Sequence, residues 1–342
     1  VIPSSVKKLE EGWCCGLLAS TTVVISANNP NFSWINNDFI VGKSNENLDN
    51  FDTIVYVRRD LEEINIPSYI KIISPYSFCC CTNLSRINIP NESELEYICK
   101  YAFYESGIES VAIPSHVKEI CENSFENCSK LRTVEFLPNS ELSFIGKFAF
   151  ANTRITQINI LPQLTQISEG TFFHTKLETI TFPENSSLIS IDNLAFASSE
   201  LRQINIPNHV RKLGKKSFYN CLNLENIEFT ENSELTCIEE RSFALSSIHR
   251  ITIPSHVVTI ENDVFEDCRR LQIIDFMNDS ELLSIGSGIL VSSLRTVTIP
   301  SSIKELSEGW CSQLERSTNI VISSNNPNFS WINNDFIVGK SN

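Results

Sequence analysis

The chain has 342 residues, a formal net charge of −14 at pH 7, an apolar content of 42%, and 21 phenylalanines against a single methionine. That acidity excludes nucleic acid and anionic membrane as partners, because both demand a basic stripe. No apolar run reaches the ~18 residues a membrane helix needs; no secretory leader is seen and Val1 is not a start methionine, so both ends read as cut from a longer protein, whose membrane anchor is expected outside this chain.

Residues 1–35 read as N-terminal repeats. Residues 36–60 read as a β-hairpin insert: Asn28-Asn29-Pro30-Asn31 is turn chemistry, and Asp38–Val41 and Thr53–Val57 flank a loop rich in Asn, Asp and Ser. Residues 61–316 hold eleven tandem repeats of 22–24 residues, beginning at Leu61, Leu84, Ile108, Leu131, Ile155, Leu177, Leu201, Leu224, Ile248, Leu271 and Leu294. Each carries an I-x-I pair, from Ile64/Ile66 and Ile87/Ile89 to Val297/Ile299, whose period of two predicts a short strand with one buried face. A proline such as Pro67, Pro90 or Pro114 then ends the strand, because it cannot donate to a ladder. Later in each unit comes a phenylalanine, at Phe78, Phe103, Phe125, Phe150, Phe172, Phe196, Phe218, Phe243 and Phe265, expected to stack as an internal column.

A fixed period of this length predicts one 342-residue repeat solenoid, with a concave parallel β-sheet and a convex back of loops and short 3₁₀ or α turns. Two subtypes alternate, I-P-S-x-V-K-x-I and a form carrying N-S-E-L. Residues 317–342 are a further repeat plus the start of a second hairpin insert, since residues 28–45 recur unchanged at 325–342, and Trp13 and Trp34 recur as Trp310 and Trp331. The chain is expected to continue past Asn342. Departures fall in the unit from Leu271, where Leu290 replaces Phe, and in the unit from Leu294, where Trp310 comes near that place; wider turns or hairpin docking are expected there.

Of the 12 cysteines, Cys81, Cys128, Cys221 and Cys268 follow a repeat Phe by three residues and read as buried packing thiols. Cys99 and Cys121 follow equivalent isoleucines in neighbouring turns and are candidates for a disulfide. His116, His209 and His256 share one register two or more turns apart, too far for a metal site, and read as solvated loop residues. No calcium loop, nucleophile elbow, zinc motif, P-loop or dinucleotide fingerprint is present, so neither catalysis, nor metal, nor cofactor is expected. Seven N-x-S sequons, among them Asn31, Asn83 and Asn127, stand close to chance in so Asn- and Ser-rich a chain.

The repeated sentence L-x-x-I-x-I-P-x-x-V-x-x-I-x-x-x-x-F-x-x-C, with its I-P-S-x-V and the N-P-N-F…D-F-I-V insert, resembles the BspA-like (Treponema pallidum-type) leucine-rich repeats. These are abundant in surface proteins of trichomonads and host-associated bacteria. The resemblance covers nearly the whole chain and implies an extracellular, cell-surface protein that adheres to protein or glycan on host cells, extracellular matrix or other microbes. No shared binding motif can be carried over from it.

Residues between the inward-facing ones point out of the strand face, where Glu109, Arg132, Glu135, Glu178, Arg202, Glu225, Glu228 and Arg250 intersperse both charges without an aromatic. This face is one candidate contact surface, and a merely solvated sheet is its plain alternative. The hairpin, with Trp34, Phe39 and Tyr56, is the other, with a packed structural cap as its alternative. A head-to-tail self-assembling spacer and an intracellular scaffold with reduced thiols are the competing functions.

Overall fold

In the computed structural model every residue is described except 46, 290, 292, 316–317, 333–335 and 340–342; the substitution of Phe by Leu290 thus lies outside the described residues. The chain is a β-solenoid built as two units, Val1–Leu164 with Thr171–Leu177, and Thr165–Gly170 with Glu178–Asn342.

The I-x-I segments form the expected parallel strands. In the first unit Glu63–Asn65 pairs with Arg86–Asn88, and Ser110–Ile113 with Thr133–Phe136, in register Val111↔Val134. In the second unit Gln203–Ile206 pairs with Asn226–Phe229, and a four-stranded sheet runs from Arg250–Ile253 to Asn319–Ile322. The isoleucines on one face are buried and the residues between them exposed, as a period of two requires.

The return path differs from a back of loops. Each coil makes a second parallel strand of two residues, such as Ile72–Ile73, Tyr97–Ile98, Glu119–Ile120 and Phe144–Ile145 in the first unit. A second seven-stranded sheet, from Gln166–Ile167 to Glu305–Leu306, does the same in the second unit. No helical turn occurs among the described residues.

The third side of each coil is the turn around the phenylalanine, and it too is laddered. Residues two before and two after each ring are left-handed: Tyr76, Cys80, Tyr101, Glu105, Asn123 and Asn127 have φ between 55 and 61°. This costs about 1 kcal/mol or more per residue for side chains other than Gly and Asn. The compensation is that alternate amides all aim at the next coil: Tyr101 N–H donates to Glu122 O at 3.1 Å, Phe103 N–H to Ser124 O at 2.7 Å and Glu105 N–H to Glu126 O at 3.0 Å.

Inside, the phenyl rings form the expected column. Centroids of Phe78, Phe103, Phe125, Phe150 and Phe172 follow one another at 4.5, 4.9, 5.4 and 5.9 Å, and those of Phe196, Phe218, Phe243 and Phe265 at 5.3, 5.4 and 5.8 Å. The F-x-x-C thiols are buried as predicted and also form rungs. Cys128 donates to Phe103 O at 3.0 Å and meets Ser106 Oγ at 3.3 Å; Cys221 with Ser199 and Cys268 with Ser246 repeat the pattern. Burial pushes the Cys128 thiol up to about 12 and those of Cys221 and Cys268 to about 11, which keeps them protonated donors. Coils pack tightest against backbone at Gly107, where a Cβ would overlap the Thr82 carbonyl oxygen, so any other residue must displace that backbone.

The insert is more than a hairpin budding from the stack. Strands β1 (Phe32–Ile35), β2 (Phe39–Gly42) and β3 (Thr53–Val57) form an antiparallel meander that starts before residue 36. β3 also pairs in parallel with Ile72–Ile73, in register Ile54↔Ile73, so the meander is the first part of the second sheet. The physical reason is apolar content: all of β2 and β3 is buried, and two apolar faces need cover on both sides.

Candidate functional site

The meander positions a groove. Between β2 and β3 the chain runs out in a loop closed at its base by Asp52, whose carboxylate accepts Ser44 N–H at 2.7 Å and Thr53 Oγ1 at 3.0 Å. The Asp52 carbonyl accepts the Lys71 amide at 2.8 Å, which fixes the loop against the next coil. There the turn after Pro67, closed by Ile70 N–H to Pro67 O at 3.2 Å, presents Tyr69 outward.

The space between loop and coil is a cavity of about 760 Å³ lined by Asn47–Asp52 on one wall and Tyr69, Lys71 and Glu94 on the other. Leu48 and Tyr69 are 39 and 43% exposed in its lining, while Tyr97, 36% exposed, lies on the next coil in register with Ile72 and outside that lining. Lys43 lies over the Phe51 ring at 5.8 Å. A smaller cavity of about 220 Å³ continues the groove past Glu96, His116, Lys118 and Glu141. Its charges are paired across coils: Lys71–Glu94 at 3.7 Å, Lys118–Glu96 at 2.6 Å and His116–Glu141 at 3.0 Å. His116 and His209, expected to be merely solvated, are exposed but engaged, because the N-S-E-L glutamate of one subtype reaches the histidine of the other; His209 and Glu234 repeat the pair at 2.9 Å.

Of the residues expected on the strand face, Glu135, Glu228 and Arg250 lie in strands and Glu109, Arg132, Glu178, Arg202 and Glu225 immediately before them, and several of their charges pair across coils. Arg202 binds Glu178 at 3.2 Å, Arg270 binds Glu225 at 3.4 Å, and Arg250 binds Asp275. Being exposed, such pairs are worth well under about 1 kcal/mol each. Glu109, Arg132, Glu135 and Glu228 make no side-chain ion pair among the described residues, and Glu135 lines a shallow cleft of about 390 Å³.

The hairpin candidates divide. Phe39 and Tyr56 are each only 1% exposed and offer nothing to a partner; Trp34 is half-buried, its ring 6.0 Å from that of Tyr56 and edge-on to it. Their packing is that of a cap, and it is the loop they carry that borders the groove. The composition of residues 43–52, polar around Leu48 and Phe51, was the available signal for it.

Beneath the meander lies a buried guanidinium. Arg59 is 4% exposed and donates to Ser77 O at 2.7 Å, Val57 O at 3.1 Å, Tyr76 O at 3.3 Å and Cys14 O at 3.4 Å, with its centre 5.1 Å from the Tyr56 ring. Cys81, at the repeat position where other thiols meet a serine, meets Arg59 instead at 3.3 Å. Cys99 and Cys121 lie side by side as expected, one residue past the register pair Ile98↔Ile120. Their mutual interaction draws the Cys99 thiol down and pushes that of Cys121 up. In the second unit Cys237, Glu239 and Glu261 converge, but Glu239 already holds Lys212 at 2.8 Å and Glu261 accepts the Glu240 amide at 3.0 Å.

Parallel short strands on successive coils, an inward aromatic column and a shallow groove define a leucine-rich-repeat solenoid. The chain belongs to the BspA type leucine-rich repeat family, whose profile matches residues 50–175, 143–272 and 216–331 in six copies. Repeat scaffolds of this kind bind other proteins along extended faces. Among solved structures, the pneumococcal vaccine antigen PcpA is similar at 21% identity and a TM-score of 0.48, over 80% of this chain and 83% of that one. A leucine-rich cell surface protein of Faecalibacterium prausnitzii A2-165 is similar at 21% identity and a TM-score of 0.41, over 89% and 96% of the two chains. A leucine-rich repeat protein of T. pallidum follows at 20% identity and 0.30, over 78% and 87%. No curated protein sequence matches. No helix among the described residues is long and apolar enough to cross a membrane.

Proposed function

We propose that this chain is a non-enzymatic, cell-surface binding module that attaches to macromolecules of host cells, extracellular matrix or other microbes. The observation that carries this reading is the groove: exposed apolar side chains gathered beside a loop that a buried, three-stranded meander holds in place. A protein surface that spends buried sheet on positioning a polar loop is organised for contact. The unpaired strand-face charges Glu109, Arg132 and Glu135 are a second, weaker contact surface, suited to steering more than to affinity.

The test is binding of the 342-residue chain to cultured host cells and to immobilised matrix. Deleting the meander is the wrong variant, because its side chains are core. Leu48→Ser with Tyr69→Ala should lower binding at least tenfold, and the reversals Glu109→Lys, Arg132→Glu and Glu135→Lys should change mainly its rate and salt dependence. Binding untouched by both sets would reject both surfaces. The surface location carries its own expectation: exposed to an oxidised glutathione buffer, Cys99 and Cys121 should form one disulfide, two thiols giving two electrons and two protons to the oxidant. Peptide mapping that finds both thiols free under these conditions would refute it, whereas the buried Cys128 and Cys221 should stay reduced.

A further inference from the structure

We propose that the groove beside the meander loop is an oligosaccharide site, and that its occupant is an uncharged, hydroxyl-rich glycan chain laid across successive coils. The inference rests on the groove reading above and names its ligand.

Charge comes first. The lysines in the groove lining are each paired with a carboxylate, Lys71 with Glu94 at 3.7 Å and Lys118 with Glu96 at 2.6 Å, and the nearby Lys43 lies over the Phe51 ring. An anionic ligand would also meet the carboxylates of Asp49 and Glu94 on opposite walls.

The apolar surface is the second argument. Tyr69 is 43% exposed and Leu48 39%, in a lining that also holds Asn47, Asp49, Asn50 and Glu94. Protein hot spots instead form a contiguous desolvated centre rich in Trp, Tyr and Arg, and no arginine or tryptophan lines this cavity. An exposed phenol ring beside hydrogen-bonding groups matches a pyranose, which presents one face of C–H bonds and a rim of hydroxyls.

The rim is the third. Asn47, Asp49 and Asn50 have side chains without a hydrogen bond among the described residues, and they supply both donors and acceptors opposite Tyr69. Sugar hydroxyls need such mixed partners, since each donates and accepts. Dimensions agree: about 760 Å³ falls in the range of ligand pockets, roughly 300–1,000 Å³. The smaller cavity shares Lys71 and Glu94 with the first and runs on to the following coils, whose rungs repeat every ~4.8 Å, near the advance per ring of an extended glycan.

The experiment uses the whole chain and defined probes: chitotriose, cellotriose and an N-acetyllactosamine tetrasaccharide as neutral chains, and a sialylated lactosamine as the charged control. Saturation-transfer NMR and calorimetry read binding, and circular dichroism checks that each variant is folded. At least one neutral probe should bind; Tyr69→Ala should weaken it tenfold or more, Tyr69→Trp should retain it, and Asn50→Ala should weaken it several-fold. Binding of only the sialylated probe, or neutral binding indifferent to Tyr69→Ala, would overturn the proposal. So would failure of every sugar while the protein still attaches to deglycosylated cells through Leu48 and Tyr69, which leaves the groove as a protein site. Attachment to cells that ignores Leu48 and Tyr69 altogether would instead remove the groove reading itself.

Discussion

Phe125→Ala should cost about 3–5 kcal/mol in guanidinium denaturation, the range for emptying a buried phenyl site. The ring is fully buried and stacked between Phe103 at 4.9 Å and Phe150 at 5.4 Å, so its loss opens a cavity that rigid coils on both sides cannot close. Because coils touch only their neighbours, the damage should also broaden the transition by uncoupling the coils on either side. A loss below about 1 kcal/mol would mean that the column is not the core.

Arg59→Ala should be the second large effect, about 3 kcal/mol or more. It removes four charge-assisted hydrogen bonds, to the carbonyls of Val57, Tyr76, Ser77 and Cys14, each worth roughly 1.5–3 kcal/mol, and empties a buried side-chain site, although Ser77, Tyr76 and Cys14 keep the amides of Val57, Cys79 and Leu17. Three segments lose their common tie, so protease sensitivity should rise first within residues 1–31. Arg59→Met restores volume without donors, and Arg59→Lys keeps the charge but cannot reach several carbonyls from one planar fork; both should fall between alanine and the native protein. An Arg59→Met variant as stable as the native chain would show that the guanidinium only fills space.

Much of the coil could be seen in advance. The spacing of Phe78, Phe103 and Phe125 announced a stack, the I-x-I alternation located the first sheet, and Cys128 and Cys221 were placed inside by their register with the rings. Less visible was the second sheet. Its strands are two residues long, as at Tyr97–Ile98, too short for alternation to declare itself. The left-handed turns were silent because Tyr101, Phe148, Leu194 and Lys216 occupy them, where a Gly or Asn would have marked the geometry. The site was half legible: residues 36–60 stood out as an insert, but Phe39 and Tyr56 proved to be its core, and Tyr69, outside it, proved to be its neighbour.

Periodicity fixed what each coil does for the next, since a repeated sentence must bury its apolar face against a copy of itself. It assigned the solenoid, the ring column and the absence of a catalytic motif from residues alone. Only the folded molecule decided where the insert goes, because pairing of Ile54 with Ile73 and capture of Arg59 by four carbonyls are contacts that no local pattern encodes. Those contacts lay the loop across Tyr69, and the groove exists for that reason.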